Sequence, residues 1–425
     1  MMELLSSWLL LCSVAMVAGS TRLRKIPIQP KFDANIPRYA KPEDEATFHP
    51  NFVIANFAGT RDARYITEMD KVHDALGTND GGIDYSSFYE DKFISISGGE
   101  NVLANEAKFT GVYGLAANNH TRDVFITDYC IIRRVDVNGI ISVYAGAFYD
   151  TYRSSYYDDI FVQQIGQSCG FNDQCDAKDA MFSFPYGLAL DRPGNLYVAD
   201  TENRVIRKID AVSKQVSVFA GQSKGGIQVN DDSVGLDSHL LNLEYPVTIT
   251  VGGNFLYYLY ARATIIKINL QTSIYEMLIP VGFQAPEYGS MWADPAADRL
   301  YYCGESPPGE YGIAFFDTRS QTAVQADYST IVSQDNYRTH AVTGDANGDL
   351  YWSSSKLIED SNGKNLHCRL TYFKKNTNEQ FVIAGDTFCG FPEVGSPSFE
   401  SRIMPAYYLA VHFDGSLLFA QYGME

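Results

Sequence analysis

A unit that recurs along the chain constrains its fold more than any other feature. The clearest copy runs Phe184-Pro185-Tyr186-Gly187-Leu188-Ala189-Leu190-Asp191, then Gly194-Asn195-Leu196-Tyr197-Val198-Ala199-Asp200. It continues through Asn203-Arg204-Val205-Ile206-Arg207-Lys208-Ile209-Asp210 and closes on Val216-Ser217-Val218-Phe219-Ala220-Gly221. Four runs of β-branched and aromatic residues alternate with turn pairs such as Pro-Gly and Ser-Lys, which predicts four short antiparallel strands. An earlier copy carries Tyr113-Gly114-Leu115-Ala116, Val124-Phe125-Ile126-Thr127-Asp128, Ile132-Arg133-Arg134-Val135-Asp136 and Ser142-Val143-Tyr144-Ala145-Gly146. More degenerate copies follow around Gly253–Asn269, Asp298–Asp317 and Asp345–Gly385.

The pattern closely resembles an NHL repeat, one blade of the NHL-type β-propeller. The resemblance covers roughly residues 51–425, strongly over 108–146 and 181–221. It implies an all-β fold: a six-bladed β-propeller of four-stranded antiparallel blades. The last copy, within 405–425, supplies only Tyr408-Leu409-Ala410-Val411 and Leu417-Leu418-Phe419-Ala420. At the other end, Phe52-Val53-Ile54-Ala55-Asn56-Phe57-Ala58-Gly59 reads like a closing strand with no repeat before it. Strand 52–59 is therefore expected to complete the blade begun at 405–425, so that pairing of the N- and C-terminal segments closes the ring. An open β-solenoid would need atypical capping repeats instead.

Trp8 to Ala18 has the length of a signal-peptide core and is too short for a membrane span. Residues 1–19 are expected to be a signal peptide and 20–50 an N-terminal extension, which places the protein outside the cell. Glu3 in place of a basic residue departs from that pattern, and a buried N-terminal strand is the structural alternative. Beyond Cys12, six cysteines remain, an even number that favours disulfides in an oxidising compartment. Cys169 and Cys175 flank a short polar loop and form the best local pair. Cys368 and Cys389 are close enough in the pattern to pair as well. Cys130 is then left with Cys303 or with the 169–175 loop. Asn119-His120-Thr121 is an N-glycosylation sequon.

In an up-and-down blade, successive connections alternate between two ends. The turns joining first to second and third to fourth strands are short. The long segments are 60–107, 147–180, 222–243 and 386–400, between blades, and 303–311 and 353–366, between second and third strands. All of them fall at one end, and so do the six cysteines, which makes that end the expected binding surface. Asn119 falls at the other.

Asp128 and Asp200 end equivalent second strands and are expected to accept hydrogen bonds in structural turns. The basic residues on third strands, Arg133, Arg134, Arg207, Lys208 and Lys267, are expected to pair between blades. With 33 Lys+Arg against 51 Asp+Glu, the net charge of −18 excludes a nucleic-acid groove and an anionic-membrane coat. Asp345-x-Asn347-x-Asp349 has two features of a calcium loop. It has Leu350 and Lys356 where an EF-hand has Gly and Glu, so a hairpin turn is expected. Tyr149, Tyr152, Tyr156 and Tyr157, interleaved with acidic residues, suit contact with a protein or a glycan, or pack the insertion onto the blades.

These features together predict a secreted, non-catalytic binding scaffold with no cofactor, which recognises an extracellular protein or glycan through disulfide-stapled loops. The alternative is an extracellular hydrolase or lyase with an axial metal, calcium among them. The resemblance reaches distantly to propeller lyases that hold zinc with histidines. Asp200-Thr201-Glu202-Asn203 has none at the matching turn, and no GxSxG nucleophile motif occurs.

Overall fold

A computed structural model describes residues 12–19, 52–58, 100–107, 109, 111–154, 161–167, 169–222, 237–260, 264–278, 290–294, 299–306, 310–317, 331–332, 337–360, 363–377, 379–390 and 401–422. Its sheets are almost wholly antiparallel and the fold is all-β, built of β-propeller blades. The chain divides into two compact units, mainly Asn56–Ile279 and Pro280–Gln421.

The first unit holds three blades. Blade 1 comprises Val112–Ala117, Val124–Asp128, Ile131–Val135 and Ile140–Ala145, with Val102–Leu103 added along its outer edge. Blade 2 repeats this with Pro185–Leu190, Leu196–Asp200, Val205–Ile209 and Gln215–Ala220, edged by Cys175–Asp176. Blade 3 comprises Ile249–Gly252, Phe255–Tyr260, Thr264–Asn269 and Tyr275–Leu278. The second strands of blades 1 and 2 are buried along their whole length, which is why VFITD and LYVAD read as continuous runs rather than alternating ones. Both faces of a blade pack on neighbours, so the core lies between blades. Phe125 and Ile132 of blade 1 meet Leu188, Val198 and Val216 of blade 2. Tyr197 and Phe219 meet Tyr258, Ile266 and Tyr275 of blade 3.

Successive blades are joined by a repeated backbone device. The glycine after the fourth strand donates to the start of the following 3₁₀ turn, Gly146 N to Ala177 O at 2.8 Å and Gly221 N to Ser238 O at 2.9 Å. Thr201 Oγ1 adds a 2.5 Å bond to Pro246 O, tying blade 2 to the segment that leads into blade 3.

The second unit holds blade 4 (Met291–Asp294, Arg299–Ser306, Glu310–Asp317, Ile331–Val332) and blade 5 (Arg338–Gly344, Leu350–Asp360, Gly363–Lys374, Glu379–Phe388). Trp352 and Phe373 pack against Tyr301 and Ile313.

Three expectations are corrected here. Among the described residues five blades are present, not six. The C-terminal hairpin, Ala406–Val411 with Leu417–Tyr422, shares a four-stranded sheet with the N-terminal strands, as expected of the chain ends. In it Cys12–Gly19 lies between the hairpin and Phe52–Ala58, so strand 52–59 does not pair directly with the last segment. The run CSVAMVAG, read as a signal core, is apolar and partly β-branched, and serves equally well as a strand. Finally, 303–311 and 353–366 are not long loops. They are lengthened hairpins in which Ser306 pairs with Glu310 and Asp360 with Gly363, so Cys303 and Cys368 sit inside strands. Most of 60–107, 222–243 and 386–400 lies outside the described residues.

Candidate functional site

The end at which each blade's first strand begins carries the chemistry of the first unit. In blade 2 the carboxylate of Asp200, wholly buried, accepts from Ser183 N at 2.7 Å, Asn203 Nδ2 at 2.9 Å and Arg207 Nη1 at 3.3 Å. Arg207 reaches it because Asp200 faces Val205 in register, two residues away on the same side of the third strand. Its guanidinium lies between the rings of Phe171 and Phe182, 5.0 and 5.5 Å from their centroids, and its Nη2 donates to Asn172 O at 2.5 Å. Burial pushes Asp200 up to about 6, against the donors that favour its anion.

Blade 1 repeats the arrangement with looser distances. Asp128 accepts from Gly111 N at 3.3 Å and stands 3.7 Å from Arg133 Nη1, while Arg133 covers Phe109 at 5.2 Å. Each aspartate thus anchors the segment that leads into its own blade. Four of the five third-strand basic residues pair within their own blade, Arg133 with Asp128, Arg134 with Asp123, Arg207 with Asp200 and Lys267 with Glu276, and Arg207 also meets Asp173 on the segment leading into blade 2. The pairing within blades follows from register, since neighbouring strands bring these positions side by side.

The disulfides match expectation at Cys368–Cys389 and differ from it at Cys175. Cys169 bonds Cys130, not Cys175, and so ties the blade 1 turn to the segment preceding blade 2. Cys175 is held in the edge strand opposite Val216, whereas Cys169 bridges Phe182, so the two point to different neighbours. Cys175 remains a thiol, as does Cys303, which is completely buried in blade 4 and pushed up to about 12 by that burial. Cys368 bonds Cys389 across the third and fourth strands of blade 5.

Tyr149 and Tyr152 lie on Phe148–Ser154, which forms a separate hairpin with Phe161–Gln167 and places them opposite Gly166 and Gln163. Tyr156 and Tyr157 lie outside the described residues. Asn119 is exposed in the turn between the first two strands of blade 1. In the Asp345 turn, Asp345 Oδ1 accepts from Asn347 N and Asp349 N at 2.9 and 3.0 Å, which is a hairpin turn held by a side chain. Among the described residues no cluster of three or more His, Cys, Asp or Glu is placed to hold a metal.

One feature of this end did not emerge from the sequence. The first strands of blades 1 and 2 each begin with a bulge, at Tyr113-Gly114 and Tyr186-Gly187. A bulge redirects the side chain it carries. Here it brings the two tyrosine rings to 4.9 Å from each other, beside Phe184 and Tyr129. In the second unit the equivalent bulges carry His340 and Tyr407, with ring centroids 5.0 Å apart, and His340 Nε2 lies 2.7 Å from Ser355 Oγ. Burial drives His340 down to about 4, with Arg338 adding to the effect. The signal was present as an aromatic ring one residue before Gly-Leu-Ala in both clear repeats, but the bulge that gives it meaning depends on pairing.

The chain matches no family model. A stretch of 89 residues is 41% identical to Protein SUPPRESSOR OF QUENCHING 1, chloroplastic, of Arabidopsis thaliana, and covers 20% of this chain and 8% of that protein. The chain therefore spans less than a tenth of that relative's length. Among solved structures, a protein of unknown function from Bacteroides thetaiotaomicron aligns over 78% of this chain and 74% of its own, at 10% identity and a TM-score of 0.44. An auxiliary nutrient binding protein from the same organism aligns over 78% and 76%, at 7% identity and a TM-score of 0.43. A streptogramin B lyase aligns over 76% and 96%, at 13% identity and a TM-score of 0.38.

Proposed function

We propose that this protein is an extracellular NHL-type β-propeller and a non-catalytic binding scaffold, which meets a protein or a glycan at the end of the blades that carries the long connections. The observation that carries this reading is the coincidence, within the first unit, of the Cys130–Cys169 bond with the cluster Tyr113, Tyr129, Phe184 and Tyr186 at that end. A covalent tie limits the movement of the connecting segment, and aromatic rings supply contact area at small entropic cost. The polar groups beneath are already engaged with one another, as at Asp200 and Arg207, which suits a support better than a reacting centre. On this reading a glycan on Asn119, in a turn at the opposite end of blade 1, leaves the contact surface clear.

The test is to probe an extracellular protein panel and a glycan array with the oxidised wild type, a variant lacking residues 148–159, and Tyr186→Ala. A binder retained by the wild type and lost or weakened by either change supports the reading. Binders indifferent to both changes, or none, contradict it. Elemental analysis of the same sample is expected to return no stoichiometric metal, and one calcium or zinc per chain would favour the hydrolase or lyase instead.

A further inference from the structure

The rings of Tyr113, Tyr129, Phe184 and Tyr186 form one surface within the Asn56–Ile279 unit, with neighbouring centroids 4.9 to 6.5 Å apart. All four side chains are only partly covered, whereas Tyr197, Phe219, Tyr258 and Tyr275 fill the space between blades 2 and 3. Their backbone is unusual in two independent ways. Tyr113 and Tyr186 occupy bulges. Tyr129 and Phe184 adopt left-handed conformations, with φ of 59° and 49°, which bulky residues rarely hold. The preference recurs at blade 3, where Tyr245, like Phe184, precedes a proline, has a φ of 41° and is 42% exposed. Backbone held away from its preferred regions so that a ring stays at the surface is a mark of a contact site.

Charge and local precedent indicate what the rings meet. The chain carries 51 acidic residues against 33 basic ones, so its field draws cationic partners and repels anionic ones. At this same end the exposed ring of Tyr245 already holds the guanidinium of Arg204 at 4.8 Å, while the buried Arg207 underlies the ring of Phe171 at 5.0 Å. The geometry points to a docking site for the arginine and lysine side chains of a basic protein partner, seated on the faces of Tyr113, Tyr186 and Phe184. The ring quadrupole attracts the cation, and the acidic chain accelerates its approach. This rests on the binding-scaffold reading and names the class of partner.

The test uses the full oxidised chain and a nona-arginine peptide, with the neutral nona-citrulline peptide as its control of equal shape, followed by fluorescence anisotropy at physiological salt. The wild type is expected to bind the arginine peptide at least roughly tenfold more tightly than the citrulline one. In Tyr113→Ala/Tyr186→Ala, arginine-peptide binding is expected to weaken by roughly 5- to 30-fold, and in Tyr113→Phe/Tyr186→Phe to stay within about twofold, because the ring and not the hydroxyl carries the attraction. Tyr186→Leu keeps an apolar side chain at the bulge and guards against loss of fold in the double variant. It is expected to weaken the arginine peptide while leaving the thermal midpoint near that of the wild type. Equal binding of the arginine peptide by the wild type and these ring-less variants overturns the proposal. Equal binding of the two peptides by the wild type does so too. A neutral oligosaccharide whose binding depends on Tyr186 while the arginine peptide's does not would make this a glycan site instead. Failure here with a panel binder still sensitive to the 148–159 deletion refutes only the docking site, whereas absence of any binder refutes the scaffold itself.

Discussion

A Cβ on Gly114 would stand 1.9 Å from Tyr186 O, and one on Gly187 would stand 2.5 Å from Val247 O. Both obstacles are backbone atoms, so no rotamer change relieves them. These glycines let consecutive first strands approach where the tyrosine bulges occur. Gly114→Ala and Gly187→Ala are each expected to destabilise the first unit by about 2–3 kcal/mol, read from denaturant midpoints. Two buried titratable residues give opposite pH signatures. Asp200, raised to about 6 from 3.8, stays protonated in the folded chain where the unfolded chain has lost the proton. Its contribution is complete below about pH 4 and is lost as pH rises towards 6. His340, lowered to about 4 from 6.5, is neutral in the folded chain where the unfolded chain is charged. Its contribution is complete above about pH 6.5 and is lost as pH falls towards 4, by about 3 kcal/mol. Hydrogen exchange at pH 4.5 and 7, read separately in the two units, is expected to lose the first effect in Asp200→Asn and the second in His340→Gln. If the two variants keep the wild-type pH dependence, these environments are wrong.

Blades 1 and 2 were legible in the sequence because local pattern and tertiary pairing agree there. Their second strands are continuously apolar, and their turns are made by Asp136-Val137-Asn138-Gly139 and by Asp191 through Asn195, with the aspartate caps the turn chemistry implies. Blade 5 was partly illegible for the opposite reason. Ser353-Ser354-Ser355 has loop chemistry, yet Ser353 is held in the strand by pairing with Leu370 and by its hydroxyl bond to Ala406 O. The choice between Cys175 and Cys130 as the partner of Cys169 was not legible, since sequence proximity says nothing about the edge strand that carries Cys175 away. This gives a prediction at the level of the element. Cys169→Ser opens a bond spanning 39 residues and is expected to destabilise the first unit by up to about 4 kcal/mol. Cys175→Ser, by contrast, is expected to change stability by less than about 1 kcal/mol. Thermal midpoints of the two variants, compared under oxidising conditions, check the contrast, and similar losses in both would contradict it.

At the scale of the molecule, the repeat pattern gave the blade as the building block but not the way the chain ends are used. Counting repeats led to six blades, because the strand 52–59 and the final hairpin look like two parts of one. The interposed Cys12–Gly19 strand shows that one apolar run can satisfy both the pattern of a signal-peptide core and that of a sheet strand. The aromatic cluster beside the first-strand bulges was illegible, because a bulge depends on strand pairing. The tyrosines singled out at 149 and 152 lie on a separate hairpin, while those the bulges bring together, Tyr113 and Tyr186, were read as ordinary strand positions.

The central claim is that two specific bonds form in an oxidised protein, Cys130–Cys169 in the first unit and Cys368–Cys389 in the second. Digestion without reduction, followed by mass spectrometry of the linked peptides, tests this most directly. The expected result is a peptide pair joined through Cys130 and Cys169, another through Cys368 and Cys389, and free thiols at Cys175 and Cys303, of which the buried Cys303 reacts only with an alkylating reagent added in denaturant. A peptide joined through Cys169 and Cys175, or four cysteines found reduced in the native protein, would contradict it.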